Sequence, residues 1–274
     1  MRPAVVEYVA ARTLEEVLGA LADGETAVLA GGQSLILELT APKEAPRRVV
    51  DINEVDGLDT LTEREDHVQV GPLVRHREFE SDTVGGALGD LMRTVVRHIG
   101  HPPIRARGTM LGSLAWANPA AEWPALAAAV GAELTLTGPD GCRTVPATEF
   151  FTGPFSTVRR PEELLVEARL PVFPDGTGTG YAEDRRVTIY PQAAAMAVVT
   201  VTGGLVSRAA IGLANAGPCP VRARAAENVL LGAELSDACI SAAAEAAATV
   251  DAVRDRRAFQ TLTRRALTRA RDAL

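Results

Sequence analysis

Apolar positions recur along the chain with two different periods, and the switching between them sketches a mixed α and β fold. Leu14, Val17, Leu18 and Leu21 share one helical face. Thr13-Leu14-Glu15-Glu16 is a capping box that opens this helix, and Asp23-Gly24 stops it. The short run Ala27-Val28-Leu29-Ala30 reads as a strand, as do residues 49–52 and 67–71. Leu88, Leu91, Met92, Val95 and Ile99 predict a longer helix ended by Gly100. From His101 to Trp123 the periodicity lapses, and this glycine-punctuated run reads as irregular. Residues 125–130 predict a helix with Pro124 in its first turn.

The second half follows the same logic. Glu133-Leu134-Thr135-Leu136, then Gly138-Pro139-Asp140-Gly141, then Arg143-Thr144-Val145 is a hairpin signal, and residues 164–170 form a further strand ended by Pro171. Pro174-Asp175-Gly176-Thr177-Gly178-Thr179-Gly180 is the best linker candidate. Beyond it, residues 193–201 and 207–213 read as strands joined by Gly203-Gly204. Alanine-rich helices follow, with a stop at Gly232 and a cap at Ser236. In the last of them Phe259, Leu262, Ala266, Ala270 and Leu274 form one stripe, which reads as core packing.

Composition narrows the classes. At 274 residues, 47% of them hydrophobic, the chain has material for two domains. No stretch approaches the ~18 consecutive apolar residues that would span a bilayer, and Met1 to Tyr8 carry no apolar signal core, so a cytoplasmic protein is expected. Lys plus Arg is 28 against 35 for Asp plus Glu, a net charge of −7 with no long basic run, which argues against nucleic acid as a partner. Lys43, the only lysine, sits in the turn-like Pro42-Lys43-Glu44, which disfavours Schiff-base or P-loop chemistry. Cys142, Cys219 and Cys239 lack CxxC spacing, and His67, His76, His98 and His101 lack a ligand pattern, so no metal site is expected.

Two glycine-bearing loops carry the candidate chemistry. Ala30-Gly31-Gly32-Gln33-Ser34-Leu35 follows directly on a strand. Adjacent glycines allow close approach of the main chain and positive φ, successive N–H groups can cradle an anion, and Ser34 adds a hydroxyl. Arg107-Gly108-Thr109-Met110-Leu111-Gly112-Ser113 offers the same parts much later in the chain. Neither matches a Rossmann or P-loop fingerprint. Together they suggest a diphosphate held between two lobes.

These loops resemble the flavin loops of the medium subunits of molybdenum hydroxylases. Ala30-Gly31-Gly32-Gln33-Ser34-Leu35-Ile36 is similar to the family's first loop. Ile104-Arg105-Ala106-Arg107-Gly108-Thr109 with Gly112-Ser113-Leu114-Ala115 is similar to its second, usually written IRNRGTIGGSLA, and Asn118-Pro119-Ala120-Ala121-Glu122 continues it as DPAAE does. Gly71-Pro72-Leu73-Val74-Arg75-His76-Arg77-Glu78 resembles the family's connecting strand, and Cys219-Pro220-Val221-Arg222-Ala223 its TPVRA stretch. The likeness runs in order through most of the chain.

The resemblance implies an α+β fold: a two-lobed, PCMH-type FAD-binding domain of the vanillyl-alcohol-oxidase class over residues 1–174, with lobes of about 1–55 and 56–174. A small C-terminal α+β domain, an antiparallel sheet with helices, would span 175–274. It implies FAD as cofactor, a molybdopterin large subunit and a [2Fe–2S] small subunit as partners, and a relay of electrons to an outside acceptor. Ala30, Gly31, Gly32, Gln33, Ser34 and Leu35 would bind the cofactor from one lobe and Thr109, Gly112 and Ser113 from the other, with Asn118, Glu122, Leu165 and Tyr190 completing the site. Where the family has TIGG, HADP and GD before an aromatic, this chain has Leu111, Trp116 with Asn118, and Thr188-Ile189 before Tyr190. A leucine at position 111 is costly if that position needs positive φ. These departures favour, as an alternative, a stand-alone FAD-dependent oxidase or monooxygenase for a small organic substrate, with Trp116 and Tyr190 walling a pocket over the ring.

Overall fold

The computed structural model describes residues 6–40 and 46–274. Residues 1–5 and 41–45, with the turn-like reading around Lys43, lie outside the described residues. Strand β1 (Glu7–Ala10) leads into α1 (Leu14–Leu21), β2 (Thr26–Leu29), α2 (Leu35–Thr40) and β3 (Arg48–Asp51). The three strands form a parallel sheet in the order β1-β3-β2. The capping box forms with a shift. Glu16 N–H donates to Thr13 Oγ1 at 3.2 Å, but the Glu16 carboxylate accepts from Arg12 N–H at 2.6 Å, one residue before the cap. Val17 and Leu21 are buried in one cluster with Val50, Ile52 and Leu73.

The second lobe is built on an antiparallel sheet. It comprises β4 (Leu61–Glu63), β5 (His67–Val70), a 3₁₀ turn at His76–Glu80, α3 (Gly86–Val96), α4 (Pro102–Arg107), α5 (Met110–Trp116) and α6 (Glu122–Val130). Then come β6 (Glu133–Gly138), β7 (Gly141–Pro146), α7 (Ala147–Phe150), the small hairpin β8 (Phe151–Gly153) and β9 (Ser156–Thr157), and β10 (Leu164–Pro171). The five-stranded order is β4-β5-β10-β6-β7. The run from His101 to Trp123 is not irregular, as its lost periodicity suggested. It holds two short helices, and Pro102 and Pro103 occupy the first turn of α4, where missing N–H groups cost nothing. Every residue of α6 is buried, so no apolar face can be told from a polar one.

The C-terminal sheet is β11 (Thr177–Asp184), β12 (Ala193–Thr202), β13 (Leu205–Ala214) and β14 (Val221–Arg222), antiparallel in that order, followed by α8 (Arg224–Leu230), α9 (Asp237–Ala248) and α10 (Arg256–Asp272). Both faces of β12 are covered. Ala195, Ala197 and Val199 join the core under the three helices, while Ala194, Met196 and Val198 join the core containing α6. The expected linker is largely a strand. A Cβ on Gly178 or Gly180 would lie 1.9 Å from the Ala270 carbonyl oxygen or 2.1 Å from that of Ala266, so these glycines let α10 lie directly against β11. The stripe on α10 is core packing through Phe259, Leu262, Ala266 and Ala270, with Leu274 left exposed.

Candidate functional site

Strand β2 delivers the first glycine loop to one wall of a cleft of about 870 Å³, and the N-terminal end of α5 delivers the second to the facing wall. The loops touch. A Cβ on Gly31 would stand 2.3 Å from the Arg107 carbonyl oxygen and 2.7 Å from the Gly108 Cα, so only glycine permits this approach. Gly32 has φ 75°, the left-handed conformation that the first loop's turn into α2 requires.

The second loop is held from behind by Val74–His76. Met110 N–H donates to the Val74 carbonyl at 3.2 Å, and His76 N–H donates to that of Gly108 at 2.9 Å. Thr109 caps α5, accepting Gly112 N–H on its Oγ1 at 3.1 Å. The Gly112 amide is therefore spent within the loop. The hydroxyls of Ser34 and Ser113 have no protein partner among the described residues, and both residues line the cleft.

Two buried side chains back the second wall. Trp123 Nε1–H donates to His76 Nδ1 at 3.0 Å, leaving His76 neutral with its proton on Nε2. Burial, helped by the Arg105 and Arg75 charges, lowers its pKa to about 3. Glu122, at the start of α6, is 2% exposed and accepts from Arg185 at 2.6 Å. Burial outweighs that partner and raises its pKa to about 7. The same guanidinium donates to Glu183 and to the Ile189 carbonyl. Burial alone would raise Glu183, but donors on Arg185, His98 and Tyr181 prevail and bring it to about 2. Arg185 thus fixes the start of the segment 185–190, whose Ile189 and Tyr190 reach the cleft.

The structure gathers nearly all the sequence-derived candidates. Ala30, Gly31, Gly32, Gln33, Ser34, Leu35, Thr109, Gly112, Ser113, Trp116, Glu122, Leu165 and Tyr190 all line the cleft. Asn118 stands behind this lining, next to Tyr190. Its side chain accepts Ala120 N–H at 2.9 Å. Burial raises the Tyr190 phenol above its ordinary value, against Asn118, which faces the hydroxyl. Trp116 packs edge-on against Phe155 with ring centroids 5.3 Å apart. Sequence reasoning did not single out His76, Arg159 or Ile189 as cleft residues. His76 stands between Arg75 and Arg77, a charged setting that hides its burial.

Comparison with known proteins decides the family. Residues 4–173 match the FAD binding domain in molybdopterin dehydrogenase, and residues 184–270 match the CO dehydrogenase flavoprotein C-terminal domain. The chain belongs to the FAD-binding medium subunits of the molybdenum hydroxylases. It is 36% identical to the 6-hydroxypseudooxynicotine dehydrogenase complex subunit alpha of Paenarthrobacter nicotinovorans, over 90% of this chain and 85% of that one. Among solved structures it is similar to carbon monoxide dehydrogenase from Hydrogenophaga pseudoflava (TM-score 0.93, 33% identity, covering 100% and 99% of the two chains). It is also similar to quinoline 2-oxidoreductase from Pseudomonas putida 86 (TM-score 0.90, 29% identity, covering 100% and 99%).

FAD is the cofactor of this family, and the cleft fits it. Its volume lies within the roughly 300–1,000 Å³ usual for ligand sites, and its two walls bring glycine backbone and unpartnered hydroxyls together. The departure at Leu111 does not disturb the fit. Leu111 sits in the first turn of α5, is not among the positive-φ residues, and is 2% exposed within the central core. The position makes no demand for glycine.

Proposed function

We propose that this chain relays electrons, as the flavin-carrying subunit of a cytoplasmic molybdenum hydroxylase, from a molybdopterin subunit and a [2Fe–2S] subunit to an external acceptor. The observation that carries the reading is the contact of the two glycine loops across one cleft, in a chain whose likeness to these subunits runs end to end. Residues 1–174 form the FAD-binding part, with lobes of about 1–55 and 56–174 meeting at the cleft, and 175–274 the C-terminal part.

Bound FAD supplies reversible one- and two-electron redox chemistry. The chain's own residues bind, orient and shield. Ala30 to Leu35 hold the diphosphate by main-chain N–H groups and the Ser34 hydroxyl. Ser113 and Thr109 offer hydroxyls from the other wall, and Gly112 contributes by being small. Leu165 would pack against the cofactor. Glu122 would keep a carboxyl at the cleft, and Tyr190, faced by Asn118, would shield the cofactor with Trp116 beside it.

The test is purification of the tagged chain from its own host. It should bring down molybdenum- and iron-bearing partners and release FAD on denaturation without a covalent link. A chain that runs alone, free of metal, and oxidises a small organic molecule with dioxygen would be the stand-alone enzyme instead.

A further inference from the structure

The stretch Gly71 to Glu78 resembles its family counterpart, and its backbone supports the second loop, yet the Arg75 side chain has no part in the cofactor-binding role above. Its centre, Arg75, sits between the two loops. The backbone on either side pairs with the second loop: Arg75 and Thr109 form an antiparallel bridge, and Val74 and His76 exchange main-chain bonds with Met110 and Gly108. The Arg75 side chain joins the start of that same loop to the segment after β3. Nη1 donates to the Arg107 carbonyl at 2.6 Å, the same oxygen against which Gly31 packs. Nη2 donates to Asn53 Oδ1 at 2.5 Å.

Asn53 completes the path. It follows β3, where its main-chain N–H donates to Asp51 Oδ1 at 2.9 Å. Its Nδ2 donates to the Ala30 carbonyl, the residue before the glycine pair, at 2.9 Å. An unbroken chain of bonds therefore runs from Ala30 through Asn53 and Arg75 to Arg107. Both acceptors of the guanidinium are neutral, so these contacts fix position instead of neutralising charge. Arg75 is half-buried, and burial together with the neighbouring Arg107 charge lowers its pKa, so its charge is held there at a cost.

We infer that Asn53 and Arg75 are positioning residues for FAD: a clasp that sets the spacing of the two diphosphate-binding loops. Lysine could not replace Arg75, because a single ammonium lacks the fork that reaches two acceptors. The inference rests on the proposed reading of the cleft as the diphosphate site.

The test uses the full chain, purified with any partners that accompany it, as Arg75→Gln, Asn53→Ala and the double variant, with Arg75→Lys as a milder change should either fail to fold. FAD is stripped, and affinity is measured by quenching of flavin fluorescence on return, with ADP as a ring-free competitor. Each single variant should weaken FAD by about 10- to 100-fold. The inhibition constant of ADP should move in parallel, and the double variant should be no worse than the weaker single one. Unchanged FAD affinity in the folded variants, additive losses, or a loss for FAD that ADP does not share would overturn the clasp. Failure of the unaltered chain to take up FAD would overturn the reading of the cleft instead.

Discussion

At the scale of single residues, the cleft depends on groups that are absent as much as on those present. Gly31 is irreplaceable by contact: alanine there must push the Arg107 carbonyl away. Gly31→Ala should weaken FAD binding by at least about tenfold, since such overpacking costs about 1–3 kcal/mol, and fluorescence titration checks it. Leu111 is the converse. Leu111→Gly should not tighten FAD binding, because no glycine conformation is waiting there. It should lower stability by about 3 kcal/mol or more, from the emptied core and from glycine in a helix, which thermal unfolding would detect. The glycines at 31 and 32 were legible in the sequence because close approach and positive φ leave a residue-type signature. The partners of Arg75 and Arg185 were not, because a long charged side chain looks the same whether solvated or tied to three groups.

At the scale of elements, periodicity and residue type located α1, α3, α6 and strands as short as β2 or as fully covered as β12, and failed between His101 and Trp123, where short helices are punctuated by proline and glycine. Helix α1 and the hairpin β6–β7 were readable. Helices α4 and α5, six and seven residues long, were hidden by proline and glycine that in fact start and space them. The TPVRA-like stretch proves structural. Arg222 pairs with buried Glu227, which also accepts the Ile211 N–H at 2.9 Å, pinning β14 and α8 to β13. The segment 185–190 is tied by Arg185 to Glu122, and that tie has a pH signature. Burial holds the Glu122 pKa at about 7 against an ordinary 4.5, so the folded chain keeps a proton that the unfolded chain releases. Stability from this group is full below about pH 4.5 and is lost as pH rises through 7. Glu122→Gln, which mimics the protonated acid, should therefore gain stability relative to the parent between pH 5 and pH 8, by up to about 3 kcal/mol. Denaturant titrations at the two pH values would show the gain, and a constant difference would contradict it.

At the scale of the whole molecule, the C-terminal part is more than an appendage. Its strands β12 and β13 complete the core around α6, and its segment 185–190 brings Tyr190 to the cleft. That placement was not derivable from sequence pattern, because the glycines that let α10 cross β11 look like a linker. Motif order along the chain carried the family and the cofactor, while the contact between lobes required coordinates. The central claim is that the chain passes electrons on for its partners. Anaerobic stopped-flow of flavin reduction measures it directly. In the assembled complex, the substrate of the molybdenum partner should bleach the flavin within the turnover time, and the same chain stripped of its partners should stay oxidised with that substrate. Equally fast bleaching by a small organic molecule in the isolated, metal-free chain would contradict the account.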